Sequence, residues 1–251
     1  MKIVILGSGN VAYHLAKALK QSSADIIQIF GRNAECLAQI SSELGIPTST
    51  TTLADADLYI ISVSDSSVAE VSKLPKNPNA LVVHTAGSLP LESLQGNYRK
   101  GVFYPLQTFS KSRALDYSQI PFFIEVEHKS DEEILKSLAL KISDKVAVAD
   151  YQKRKYIHLT AVFACNFTNH LFTKAKEISD SQSIPFSYFL PLIDETVQKI
   201  HILEPKQAQT GPAIRNDIPT LSLQKQLLAS LPSHLLLYET LSQSILAMNN
   251  K

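Results

Sequence analysis

The residues with the clearest chemical meaning form a short turn near the start of the chain, Gly7-Ser8-Gly9-Asn10-Val11-Ala12. Its form is G-x-G-x-x-A. The first glycine permits a tight turn out of a strand, and the second lets a pyrophosphate approach the backbone. The small Ala12 lets the following helix pack closely on that strand. Backbone N–H groups at the helix start, with the positive end of its dipole, then face the phosphates. An apolar run at residues 2–6 precedes the turn and an amphipathic pattern at 11–21 follows it. This strand-turn-helix context predicts a dinucleotide site held by Gly7, Ser8, Gly9, Asn10, Val11 and Ala12. The alternative is a glycine-rich turn in an unrelated α/β protein.

A second signal stands at the end of the next strand, residues 25–30, where the chain continues Gly31-Arg32-Asn33. An NAD site carries Asp or Glu at this place for the ribose hydroxyls. Arg32 instead offers a guanidinium fork to a 2′-phosphate, and Asn33 adds a further donor. The expected cofactor is therefore NADP. The other reading makes Arg32 a solvated loop residue.

Three further segments follow strands, at the carboxyl ends where open parallel sheets bind ligands. Val63 and Ser64 are expected to line the cofactor, unless Ser64 and Asp65 simply cap a helix. In His84-Thr85-Ala86-Gly87-Ser88, the small Ala86 and Gly87 admit a flat ring. His84 and Ser88 are expected to meet a substrate, with a structural role as the alternative for His84. Tyr104 and Gln107 follow the fifth strand and complete this group; Gln107 and Thr108 either bind a substrate or hold their loop.

Farther along, His158, Val162, Asn166 and His170 recur every four residues, forming one stripe on a helix. Polar groups on a buried apolar helix cost free energy unless hydrogen-bonded. His158 is the expected catalytic acid, because an imidazole suits proton delivery beside hydride transfer. Asn166 is expected to orient a carbonyl or the nicotinamide carboxamide. The other reading of this stripe is a buried polar network at a subunit interface. Arg215, in Arg215-Asn216-Asp217, either meets a substrate carboxylate or phosphate or braces neighbouring helices with Asp217. No metal is expected, since His158, His170 and His201 have no nearby acid in a ligand spacing.

The elements that must position these residues are read from periodicity. Apolar runs at 2–6, 25–30, 58–63, 80–84, 101–103, 121–126 and 145–149 read as strands, alternating with helical patterns that include 11–21 and 34–44. Residues 130–133 open a further helix. This alternation predicts an α/β fold, an N-terminal Rossmann-like doubly wound parallel sheet over residues 1–150. After about 150 the strand signals fade. One long helix is expected from 151 to about 179, then helices at 186 to about 203, 221–231 and 233–248, with a loop at 204–219. Residues 151–251 thus read as an all-α substrate and dimerisation domain. The long helix is apolar nearly all round, which predicts a homodimer covering it.

Composition narrows the classes. The 251 residues are 45% hydrophobic and 19% charged, as in a folded globular protein. A formal net charge of +1 gives no nucleic-acid or membrane-surface footprint. The two cysteines, Cys36 and Cys165, stand far apart, which fits a reducing cytoplasm. The N-terminus does not read as a signal peptide, and no uninterrupted apolar run reaches the ~18 residues of a membrane span.

The phosphate turn, the Gly31-Arg32-Asn33 ending and the His84-Thr85-Ala86-Gly87-Ser88 loop resemble those of pyrroline-5-carboxylate reductases and F420-dependent NADP oxidoreductases. Closer still, the chain resembles the DUF2520 type of two-domain protein. That resemblance rests on the loop from His84, on Gly101-Val102-Phe103-Tyr104-Pro105-Leu106-Gln107-Thr108-Phe109, on the run from His158 to Asn166, and on Thr210-Gly211-Pro212-Ala213-Ile214-Arg215-Asn216-Asp217. It implies a Rossmann domain, NADP and a helical dimerisation domain, and no particular substrate. Two departures stand out. Tyr156 to Asn166 replaces the small-residue run of the reductases, against a proline-forming pocket. Val162 stands one turn before Asn166, where the related hydroxyacid dehydrogenases place a lysine. The expected activity is hydride transfer between NADP(H) and a small carbonyl or imine compound, in a pocket between the domains. The competing reading is a module that senses NADP(H) without turnover, and a third is an F420-linked reductase.

Overall fold

The computed structural model describes residues 1–248. Strand β1 (Ile3–Leu6) is four apolar residues buried on both faces, as a central strand of a covered parallel sheet requires. Helix α1 (Asn10–Gln21) follows, then β2 (Ile26–Phe30) and α2 (Ala34–Leu44). Asn33 starts α2 by accepting the Cys36 N–H at 2.9 Å, and Gly45 ends it in the left-handed region, φ 59°. Next come β3 (Thr48–Ser49), β4 (Leu58–Ile61), α3 (Asp65–Val71), β5 (Leu81–His84), β6 (Arg99–Pro105), β7 (Phe122–Val126), α4 (Glu132–Leu140) and β8 (Val146–Val148).

The eight strands form one sheet in the order β3-β2-β1-β4-β5-β6-β7-β8. The order reverses beside β1, which opens a crevice at the carboxyl ends of β1 and β4. Alternate side chains serve opposite layers. Ile3 and Ile5 pack with Leu15 and Leu19 of α1, while Val4 and Leu6 pack with Tyr59, Ile61 and Val82.

Two features depart from the periodicity. Strand β7 pairs antiparallel to β6. A parallel return needs a crossover element, usually a helix, and the connection from 106 to 121 holds only a 3₁₀ turn, Tyr117–Gln119. Helix α4 then supplies the crossover, and β8 lies parallel to β7. Strand β3 is two polar residues long, too short to show a pattern.

The described chain divides into two compact units, Met1–Asn166 and the unit that starts at Phe167. Helix α5 (Tyr151–Ala161) belongs to the first, although the change of periodicity precedes it. Asp150 caps it, accepting the Lys153 N–H at 2.8 Å, and Arg154 pins it to the sheet. The single α-helix expected from 151 is interrupted by a π-helical segment, Val162–Phe167. The wider i→i+5 turn breaks the four-residue spacing between His158 and Asn166, so the expected stripe does not hold there.

The second unit contains α6 (Thr168–Ser181), α7 (Leu190–Lys199), α8 (Pro205–Ala208), α9 (Ile218–Leu227) and α10 (Pro232–Ala247). Pro191, Pro205, Pro219 and Pro232 stand in the first turns of the last four helices, where a missing N–H is harmless. Tyr238 donates to Gln224 at 2.7 Å, and Lys225 pairs with Glu239, joining α9 to α10. Many large apolar side chains of this unit face solvent in the single chain, among them Leu192, Ile202, Leu227 and Leu236.

Candidate functional site

The phosphate turn is built by backbone constraints. Gly7 has φ 135°, and a Cβ there would lie 2.2 Å from the Ser62 carbonyl oxygen. No other residue fits this conformation and this contact. Its N–H donates to the Phe30 carbonyl at 2.8 Å, tying β1 to β2. Gly9 is the N-cap of α1, and a Cβ there would meet nothing within 4 Å. Its lack of a side chain leaves open space rather than relieving a clash. No acid stands in the first turn of α1 and no side chain caps it, so its N–H groups remain available to an anion. Ala12 is fully buried and lets α1 pack on the sheet.

A cavity of about 680 Å³ opens at this turn. Gly7 to Val11 form one wall, Arg32 and Asn33 another, and Val63, Ser64 and Thr85 a third. The volume lies within the range of cofactor clefts. Arg32 is exposed at the end of β2, directed to this cavity's wall. The Asn33 side-chain oxygen is engaged as the α2 cap. Among the described residues, Glu70 is the one acid lining the cavity. The open space at Gly9 and the uncapped helix start fit a dinucleotide, and Arg32 adds a cation to the same cavity.

A polar cluster stands at the ends of β5 and β6. His84 is fully buried, and its Nδ1 accepts the Ala86 N–H at 3.2 Å. The imidazole therefore shapes its own loop. Burial, reinforced by the Arg154 charge, pushes its pKa down to about 4. Gly87 is needed by close packing, since a Cβ there would sit 2.6 Å from Tyr104 Cζ and 2.8 Å from His158 Nδ1. The Tyr104 hydroxyl and His158 Nδ1 are 3.1 Å apart, joining β6 to α5. Burial pushes the Tyr104 phenol up to about 12, so it stays protonated. Ser88 donates to the Asp65 carboxylate, tying the loop after β5 to the start of α3.

Other expected site residues stand apart. Gln107 is exposed and accepts the N–H of Thr108. Asn166 is exposed at the end of the first unit. Arg215 is exposed in the second unit, beside Asp217, which caps α9 by accepting from Thr220. Ala86 is half-buried and is not among the residues that line the cavity. Among the described residues no cluster of His, Cys, Asp and Glu could hold a metal.

Arg154 lies in Gln152-Lys153-Arg154-Lys155, whose local pattern is that of solvated charge. It is fully buried, paired with Glu125 and donating to the Leu89 carbonyl. The available signal was its position one helical turn before His158. Removing Arg154 would free the loop that carries Gly87 and Ser88 from this anchor.

Residues 120–245 match the family model described as a domain of unknown function, DUF2520. Residues 2–86 match the model described as NADP oxidoreductase, coenzyme F420-dependent. The chain is 44% identical to a Bacteroides fragilis protein provisionally named an NADP oxidoreductase, covering 98% of each chain with a TM-score of 0.93. A Thermotoga maritima protein shares 21% identity, with 98% and 97% coverage and a TM-score of 0.73. The pyrroline-5-carboxylate reductase of Streptococcus pyogenes shares 14% identity and the fold, with 98% coverage of each chain and a TM-score of 0.64. No curated protein matches the sequence. No helix among the described residues is long and apolar enough to cross a membrane.

Proposed function

Because the chain belongs to the DUF2520 family and has the fold of an NADP oxidoreductase, we propose that it is an NADP-dependent oxidoreductase acting on a small carbonyl or imine compound. The observation that carries this reading is the cavity shared by the phosphate turn and Arg32. When bound, the nicotinamide supplies or accepts a hydride.

Each group of residues then has a role. Gly7 and Gly9 shape the turn, and the free N–H groups at the start of α1 receive the pyrophosphate. Arg32 receives the 2′-phosphate, with Asn33 beside it. Val63 and Ser64 line the cavity beside the cofactor, and Ala86 and Gly87, in the loop after Thr85, are assigned to the nicotinamide end. His158, hydrogen-bonded to Tyr104, holds the proton that the substrate heteroatom takes on reduction and returns on oxidation. His84 and Ser88 set the loop against which this pair packs. Gln107 is assigned to the substrate, Asn166 to a carbonyl or the nicotinamide carboxamide, and Arg215, in the second unit, to a carboxylate or phosphate. The exposed apolar surface of the second unit supports a homodimer, and the two separate thiols suit a reducing cytoplasm.

The test is a titration with NADPH and NADH. NADPH should bind at least about tenfold more tightly, and Arg32→Ala should remove the difference. Equal affinities, unchanged by the substitution, would refute the cofactor assignment. Turnover of NADPH with a panel of keto acids, aldehydes and imines, in wild type and His158→Ala, tests the chemistry. Tight NADPH binding with no turnover of any compound would favour a nucleotide sensor.

A further inference from the structure

The connection between β6 and β7 is strapped to the first turns of α1. Asn10 Nδ2 donates to the Phe109 carbonyl at 2.9 Å. The buried His14 uses both ring nitrogens on the same connection. Its Nε2 lies 2.9 Å from the Ser110 carbonyl oxygen and its Nδ1 2.9 Å from the Tyr117 hydroxyl. A carbonyl only accepts, so Nε2 carries a hydrogen and donates to Ser110. The His14 ring also packs 5.2 Å from the ring of Phe109.

This strap carries Lys111 to the phosphate turn, where its Nζ donates to the Ser8 carbonyl at 3.1 Å. An ammonium has three donors, so two remain for an anion at the turn. Among the described residues no carboxylate pairs with Lys111. Lys17, the other ammonium near the Tyr13 ring, is engaged by Glu43 at 3.1 Å. Among the residues lining the cavity, Arg32 is the one cation, and it stands after β2 rather than at the turn after β1. Without Lys111 the turn after β1 would offer the pyrophosphate backbone N–H groups and neutral side chains, with no cation beside them.

We propose that Lys111 is a second anchoring cation of the dinucleotide site, binding the pyrophosphate while Arg32 binds the 2′-phosphate. This rests on the nicotinamide-dinucleotide reading of the cavity. A charge-assisted contact beside a helix N-terminus adds to the attraction of the helix dipole. Because the pyrophosphate is common to NAD and NADP, Lys111 strengthens both and selects neither. Arg32 alone discriminates.

Titration of the full chain with NADPH and with NADH, at low and moderate salt, tests this. Lys111→Met should weaken both nucleotides by the same factor, about tenfold, and flatten the salt dependence. Lys111→Arg should restore most of the affinity, and Arg32→Ala should weaken NADPH alone. Thermal unfolding, with Tyr117→Phe as a variant that loosens the strap and keeps the charge, reports any structural effect. Unchanged affinity in Lys111→Met while wild type binds normally overturns the role of Lys111 and leaves the cofactor reading standing. Loss confined to NADPH overturns it too. So does equal weakening by Tyr117→Phe without rescue by arginine, which would make Lys111 a brace. If wild type binds neither nucleotide, the cofactor reading falls and this inference with it.

Discussion

Acidification should draw on a store of stability held by His84. The imidazole is fully buried and neutral, with its pKa lowered from 6.5 to about 4, first by desolvation and then by the Arg154 charge; Asp65 opposes the shift. In the unfolded chain the same group titrates at its ordinary value. Between those two pH values the unfolded state binds more protons than the folded state, so stability rises with pH. The contribution is fully present above about pH 6.5, declines as the pH falls, and is gone below about 4. A difference of about 2.5 pH units, at about 1.4 kcal/mol each, amounts to about 3.5 kcal/mol, of which about 3 kcal/mol is lost by pH 4. His84→Asn keeps an acceptor near Nδ1 for the Ala86 N–H and removes the titration. Urea unfolding of both proteins at several pH values from 7.5 to 4, written as a difference, cancels the carboxylates common to both. The variant starts lower at pH 7.5 because the smaller side chain leaves a cavity. The gap between the two should then narrow by about 3 kcal/mol toward pH 4. A constant gap across that range would refute the buried, neutral imidazole.

Four further outcomes follow from the geometry. Gly7→Ala forces a Cβ to 2.2 Å from a backbone oxygen at φ 135°, and should cost about 3 kcal/mol or more in urea unfolding. Gly9→Ala meets nothing within 4 Å, so it should fold normally and lose NADPH affinity instead, as titration will show. Arg154→Met leaves the Glu125 carboxylate and the Leu89 carbonyl without their partner and should destabilise by about 3–5 kcal/mol, measured by denaturation. Light scattering after gel filtration should report a dimer; a monomer at micromolar concentration would contradict the proposed use of the exposed apolar surface.

The apolar run before Gly7, the two glycines and the amphipathic helix after them are local signals, and they placed β1 and α1 to within a residue or two. The missing acid after β2 was equally plain. Residue types also marked His84 as notable but left its role open between substrate contact and structure. In the fold His84 is buried and accepts the Ala86 N–H of its own loop. Tyr104 and His158 stand 54 positions apart in the sequence, and no periodicity joins them.

The sequence by itself determined the strand-turn-helix entry, the cation after β2 and the change from alternating elements to helices, because each depends on neighbours along the chain. Tertiary structure alone decided that β7 turns antiparallel, that Arg154 is a buried anchor, and that Lys111 reaches the phosphate turn. Those outcomes depend on which strands lie side by side. Strand order brings residue 111 to residue 8 and residue 154 to residue 125. A lysine or arginine in a charged run has the same local pattern whether it ends in solvent or beneath a loop, and only the packing around it separates the two.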